Sequence, residues 1–270
     1  MRAVLAALLV VLLGSPAAVA GAPRLDGPLV QGGLMIGQAE PGSSVTIDGR
    51  AVRISGDGHF LIGFGRDAAA QVRLRVVSPD GSAMDRIIEV KRRKYPIQRI
   101  DGLPPRKVTP NPEDLARIRA DGAAIVRVRK QDTAKPYFLS GFAWPVKGRI
   151  SGVFGSRRIL GGKPRSPHSG LDVAAPRGTP IGAMADGVVA LVHADMFYTG
   201  MTVMIDHGHG LSSVYAHMGA VLVEKGQWIG RGEPIGHVGS SGRATGPHLH
   251  WGVSLFSVKL DPALLVPEKQ

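Results

Sequence analysis

Pro167-His168-Ser169-Gly170-Leu171-Asp172-Val173-Ala174-Ala175-Pro176 sets two candidate ligands around a glycine and runs into a short β-type segment. On a helix, residues four apart such as His168 and Asp172 would share a face. Ser169-Gly170 inside the motif and Pro176-Arg177-Gly178-Thr179-Pro180 just after it oppose a helix. On a straight strand the same two residues would stand roughly 13 Å apart, at about 3.3 Å per residue. If they act together the chain must bend between them, and Gly170 permits the bend. From Phe142 onward the sequence keeps this texture of short apolar runs punctuated by glycine, with no helical periodicity.

Eight of the nine histidines fall between residues 168 and 250. Besides His168 and Asp172, two groupings stand out: Ser213-Val214-Tyr215-Ala216-His217 and Gly246-Pro247-His248-Leu249-His250-Trp251. On a strand His248 and His250 point to one face, so that one can bind a metal while the other stands beside the metal's water. The alternation of Ser213, Tyr215 and His217 predicts one shared face for them too. Imidazole and carboxylate are the donors zinc accepts when thiolate is missing, and a catalytic site uses three protein ligands with a fourth position left for water. Asp206-His207-Gly208-His209-Gly210 reads as a hairpin turn, with Asp206 a candidate support for a ligating imidazole. His193 and His237 sit in apolar, strand-like surroundings and read as structural.

The chain has no Cys, which excludes disulfides, thiolate zinc sites and cysteine nucleophiles. Its 37 Gly and 20 Pro favour turns over long helices, so the fold class expected is mainly β. Met1-Arg2, the apolar run Ala3 to Leu13 and Ala18-Val19-Ala20 read as a secretory signal peptide over residues 1–20. That run falls short of the roughly 20 residues a spanning helix needs, so no stable membrane insertion is expected. Of the net charge of +12, the largest share lies in residues 91–140, with 13 basic and 5 acidic side chains. A basic segment attracts any polyanion, and export makes nucleic acid an unsuitable partner.

Residues 21–95 alternate short β-type runs with Asp48-Gly49, Gly56-Asp57-Gly58 and Pro79-Asp80-Gly81, which predicts a small Ig-like β-sandwich. Lys91-Arg92-Arg93-Lys94 and Pro104-Pro105 mark a boundary, and residues 96–140 read as a basic linker. Asn111-Pro112-Glu113-Asp114 supplies the start of a helix with Leu115, Ile118, Ile125 and Val126 near one face, interrupted or shortened at Gly122. Residues 141–258 form the histidine-bearing domain, and 259–270 a C-terminal tail.

Taken in order, the groupings resemble the lysostaphin/LytM-type zinc peptidases of bacterial peptidoglycan. The resemblance extends over roughly residues 141–256. It is carried by Ile150 to Arg158, by His168 to Pro176, by Gly178-Thr179-Pro180 and Gly187-Val188-Val189, by Ile205 to Gly208, by Tyr215-Ala216-His217, by Gly236 to Gly239 and by Thr245 to His250. His209, where Asn is common, and Trp251, where Phe is more frequent, depart from the pattern. The resemblance implies an antiparallel sheet with a narrow groove, His168, Asp172 and His250 as ligands of one zinc per chain, and His217 and His248 as metal-free catalytic histidines. It implies a zinc endopeptidase that cuts peptidoglycan cross-links or stem peptides in the periplasm of a Gram-negative host, or otherwise at the cell wall. The alternatives are a non-catalytic LytM-like regulator of cell-wall amidases and a wall-binding protein. Cell-wall enzymes and divisome or envelope proteins are then the partners to expect besides peptidoglycan.

Overall fold

The computed structural model describes residues 22–268, so the signal peptide read at residues 1–20 lies outside the described residues. Seven strands come first: Arg24–Asp26 (β1), Leu34–Gln38 (β2), Ser44–Ile47 (β3), Arg50–Val52 (β4), His59–Gly63 (β5), Gln71–Val77 (β6) and Ala83–Glu89 (β7). They form two antiparallel sheets, β1-β2-β5 and β4-β3-β6-β7, around a core that includes Met35, Val45, Phe60, Ile62, Leu74 and Ile88. In β6 the buried Val72, Leu74 and Val76 alternate with exposed Gln71, Arg73 and Arg75, as the two-residue period of a strand dictates. Asp48 and Gly49 close the β3–β4 hairpin with φ of 48° and 77°, the left-handed pair that a two-residue turn requires.

Between the β-rich halves lie Ile97–Ile100 (β8) and the helices Pro105–Val108 (α1) and Pro112–Arg129 (α2). Asn111 caps α2: its side chain accepts from the Asp114 N–H, and the Asp114 carboxylate accepts from the Asn111 N–H. The helix runs through Gly122 without a break. Its packing face differs from the expected one, because Leu115 and Val126 are exposed. Val128, with Ile125 beside it, packs against Ala190, Met204 and Val214.

The remaining strands are Arg149–Gly152 (β9), Arg157–Leu160 (β10), Lys163–Pro164 (β11), Leu171–Ala174 (β12), Pro180–Gly182 (β13), Gly187–Met196 (β14), Gly200–Asp206 (β15), Leu211–Val221 (β16), Trp228–Ile229 (β17), Pro234–Val238 (β18), His248–Leu255 (β19) and Val258–Leu260 (β20). Ten of them make one antiparallel sheet whose main path is β17-β14-β15-β16-β19-β12-β9. The last residues join it: β20 pairs with β19, and Leu260 and Val266 are buried. β10 instead pairs in parallel with β8, tying the middle segment to the C-terminal half. No helix of the described residues is long and apolar enough to cross a membrane.

Candidate active site

Three neighbouring strands put the site's residues in one row. Asp172 of β12 lies opposite His250 of β19, and His250 lies opposite Ala216 of β16, so their side chains rise from the same face of the sheet. His168 reaches this row from the loop before β12. Its approach depends on Gly170, where a Cβ would stand 2.3 Å from the Trp251 carbonyl oxygen and 3.0 Å from His250 Cε1. Gly170 is therefore required by close packing against β19, a reason distinct from the flexibility its sequence suggests. Gly152 has a similar task, since a Cβ there would lie 2.4 Å from Asp172 Oδ2.

His168 Nε2, Asp172 Oδ1 and His250 Nδ1 converge. His168 Nε2 is 3.0 Å from both other atoms, and His250 Nδ1 is 2.8 Å from Asp172 Oδ1. His168 Nδ1 lies 3.1 Å from the Val153 carbonyl oxygen, which can only accept, so this nitrogen carries the proton and Nε2 presents a lone pair. A lone pair, a carboxylate oxygen and a second imidazole nitrogen directed at one point repel one another unless a cation sits among them. The donor set fits zinc in number and kind. The other carboxylate oxygen, Asp172 Oδ2, accepts from Arg158 Nη2 at 2.6 Å, an orienting contact that sequence reading did not assign. Burial opposes the Asp172 charge, but its close contacts with His168 and His250 outweigh it and hold the carboxyl well below its ordinary range. Burial also pushes His168 down to about 4, so its imidazole is neutral near pH 7, as a ligand must be.

His217 and His248 stand beside this group with ring centroids 4.7 Å apart, and His217 is 6.1 Å from His250. Regular alternation would put His217 on the face of Tyr215, in the core. The register between β15 and β16 instead slips between Met201 and Val203, and His217 adopts φ of 61°. This bulge turns His217 to the site face while Tyr215 stays buried, its hydroxyl accepting from the Met184 N–H at 2.8 Å. The expected shared face of Ser213, Tyr215 and His217 thus holds only for the first two, whose hydroxyls are 3.1 Å apart. His217 Nδ1 lies 2.8 Å from the Ser241 carbonyl oxygen and His248 Nδ1 lies 2.9 Å from that of Gly246. Both Nδ1 atoms therefore donate, and both Nε2 atoms carry lone pairs. Burial first, then the neighbouring His248 and His250, push His217 down to about 3.

Asp206 does not serve the site. Its carboxylate accepts from the Gly208 N–H and the Thr133 hydroxyl, closing the turn that follows β15. His209 in that turn has φ of 50°, the left-handed region that Asn favours, which accounts for the residue type expected there. His193 Nδ1 accepts from the Asp195 N–H at the end of β14, and His237 lines a separate hollow beside Arg177.

The site opens into a cleft made of two hollows of about 490 and 520 Å³, sizes usual for ligand sites, which share Arg158, Leu160, His217 and Arg243. Part of their lining comes from the middle segment, with Gln98, Ile100 and Leu103 on one hollow and Val108, Leu115 and Ile118 on the other. Gln98 is fixed there through Ser156, whose hydroxyl donates to its side-chain oxygen at 3.3 Å. By sequence this segment reads as a linker. Nothing local in it signals a cleft wall, because the wall arises from parallel pairing with β10, far along the chain.

Residues 166–262 match the sequence profile of Peptidase family M23. The chain is 39% identical over 132 residues to the peptidoglycan DD-endopeptidase ShyA of Vibrio cholerae serotype O1, a match covering 46% of this chain and 30% of that protein. It is 43% identical over 123 residues to the DD-carboxypeptidase/endopeptidase Mpg of Neisseria meningitidis serogroup B, covering 44% of this chain and 28% of that protein. The matches thus span less than a third of these curated relatives. A crystal structure of a peptidase M23 from Pseudomonas aeruginosa matches far more completely, at 31% identity and a TM-score of 0.68, over 89% of this chain and 96% of that one. A relative so similar over nearly its whole length, and the profile match over the histidine-bearing strands, place this chain in peptidase family M23.

Proposed function

We propose that the protein is a zinc-dependent endopeptidase acting on the peptide cross-links or stem peptides of bacterial peptidoglycan. His168, Asp172 and His250 would hold one zinc ion. The observation that carries this reading is the convergence of their three donor atoms within 3.0 Å of one another, beside two further imidazoles that make no part of that set. A structural zinc site would enlist four protein ligands. Three, with an open cleft in front of them, suit catalysis. The names of the curated relatives, a DD-endopeptidase and a DD-carboxypeptidase/endopeptidase, support peptidoglycan as the substrate. A non-catalytic regulator would have no use for the complete donor set or for the paired histidines.

Bound zinc supplies Lewis acidity, which makes a water nucleophilic near neutral pH and polarises the scissile carbonyl. The residues of the chain then manage protons. His248 Nε2 presents a lone pair and His248 is half-buried on the cleft, where solvent can support the charge it gains, so it takes the proton from water. His217 is buried, and its Nδ1–H on the Ser241 carbonyl leaves Nε2 as an acceptor. It steadies the proton on its passage to the leaving amine, or stabilises the developing oxyanion once protonated. The cleft formed by the two hollows suits an extended peptide, and the signal-like N-terminus suits action in the periplasm or at the wall. Residues 91–140, with their excess of basic side chains, suit contact with an anionic wall polymer.

The test is digestion of purified peptidoglycan by the zinc-loaded protein, with products resolved by mass and the chelated protein and His168→Ala as controls. Release of peptides cut at the cross-link, abolished in both controls, is expected. Stoichiometric zinc with no cleavage of any wall peptide would overturn the hydrolase reading.

A further inference from the structure

Arg243 lines both hollows of the cleft at their junction, beside His217, and the chemistry described so far makes no use of it. The other arginine at the junction, Arg158, is engaged by Asp172. Arg165, on one hollow, donates to the carbonyl oxygens of Val108 and Pro164. The guanidinium of Arg243, among the described residues, has no ion pair and no hydrogen-bond acceptor. It lies over the Tyr198 ring, 4.4 Å from the centroid. Its backbone N–H donates to the Tyr198 carbonyl at 2.8 Å, and Ser241 Oγ accepts from the Met201 N–H and donates to the Met218 carbonyl, so the loop carrying it is pinned to the sheet. Burial and the like charges of Arg158 and Arg165 disfavour its charge, which a bound anion would relieve. A rigidly held, half-buried guanidinium with its hydrogen-bonding edge unused is suited to one ligand group above others, a carboxylate.

We propose that Arg243 is a specificity-determining residue that binds a free carboxylate on the substrate residue leaving as the amine. The inference rests on the peptidase reading above. Since Arg243 sits where the hollows meet, the group it binds belongs next to the scissile bond. On the acyl side, the α-carboxyl of the flanking residue is the scissile carbonyl itself and cannot be an anion. On the amine side, the carboxyl attached to the same carbon as the leaving nitrogen is free in two cases. One is a C-terminal residue. The other is a branched cross-link through a diamino acid whose carboxylate next to the linking amine is not extended. In an ordinary chain that carboxyl is an amide and offers Arg243 no charge. The hydrolysis balances in the usual way: water gives its oxygen to the acyl carbon, the C–N bond breaks, the nitrogen takes the proton, and the carboxylate stays on Arg243 throughout.

The test uses the zinc-loaded full chain and two pairs of synthetic peptides. One pair is a stem-peptide dimer joined through D-alanyl-diaminopimelate, with the carboxylate next to the linking amine either free or amidated. The other is a linear peptide ending in D-Ala-D-Ala as free acid or carboxamide. Amidation is expected to lower kcat/KM at least about tenfold, a factor worth ~1.4 kcal/mol. In Arg243→Gln the ratio between free and amidated forms should fall to about one, and Arg243→Lys should restore part of it. Discrimination in the dimer pair alone assigns the cross-link as the source of the carboxylate, and discrimination in the linear pair alone assigns the chain end. Equal cleavage of both forms by the wild type, or discrimination that survives Arg243→Gln, overturns the proposal. If the wild type cleaves nothing, the peptidase reading fails separately, and calorimetric binding of the same pairs decides. A free-acid preference lost in Arg243→Gln supports the inference, and equal affinity overturns it.

Discussion

His207 is fully buried, with Nδ1 2.7 Å from the Asp186 carbonyl oxygen and Nε2 2.7 Å from the Ser213 hydroxyl. Burial pushes its pKa from 6.5 down to about 4. Between those values the unfolded chain holds the proton and the folded one does not. The stability linked to neutral His207 is therefore complete above about pH 6.5 and is lost as pH falls through about 4, to the extent of roughly 3 kcal/mol. Urea unfolding at a series of pH values should show His207→Gln less stable than wild type at pH 7 but less sensitive to acid; parallel curves would show that another group sets the acid limb. At the proposed metal site, Arg158→Met should weaken zinc affinity about tenfold to a hundredfold in chelator competition, because Asp172 Oδ2 loses the contact that orients it. Unchanged affinity would mean that the strand alone fixes the carboxylate. The residue types of the candidate site are legible in the sequence because donor chemistry leaves few alternatives to His and Asp. Arg158 was not singled out: Arg157-Arg158 offers two equal candidates, and only the fold turns one of them to Asp172.

At the scale of elements, periodicity reported some features and concealed others. Alternation along Gln71–Val77 matches the pleat it adopts, whereas the same pattern in Ser213 to His217 misleads, because one bulge reverses the facing of every residue beyond it. The start of α2 was readable in Asn111-Pro112-Glu113-Asp114, since capping is a local matter. Its packing face was not, since the sheet it meets is formed by residues 190–214. Gly122 lies in the interior of this helix, and a Cβ there would meet nothing within 4 Å. Gly122→Ala should therefore stabilise the protein by about 0.5–1 kcal/mol, through the smaller backbone entropy of the unfolded chain. A rise in the thermal midpoint checks it, and a fall would mean that the helix needs glycine for a reason other than space.

Taken whole, the molecule is more continuous than the charge run at residues 91–94 suggests. The sheet β1-β2-β5 directs Met35, Phe60 and Ile62 into the first core and Leu34 and Leu61 into the core of the ten-stranded sheet, near Leu255 and Leu260. Gly63 allows this approach, as a Cβ there would lie 3.1 Å from Leu255 Cδ2. Within the basic run itself, Arg93 donates from Nη1 to the Gln31 carbonyl and, at 2.8 Å, to Asp261 Oδ2, joining the first sheets to the end of the chain. A run of like charge signals solvation, and that is how Lys91, Arg92 and Lys94 behave. Arg93 departs from it because a buried carboxylate 168 residues away requires a partner. The Asp261 side chain is 4% exposed and Arg93 29%, so solvent screens only one end of the pair. Arg93→Met should then cost about 2 kcal/mol, below the 3–5 usual when a wholly buried pair is broken. Asp261→Asn keeps an oxygen to accept from the Ala263 N–H, so it removes the charge with the local cap intact. If the stranded carboxylate is the origin of the cost, Arg93→Met in the Asp261→Asn background should lose at least about 1 kcal/mol less than in the wild type. Urea midpoints of the four proteins measure this coupling, and strict additivity would show that Arg93 joins the two halves by packing over Tyr95 and not by its charge.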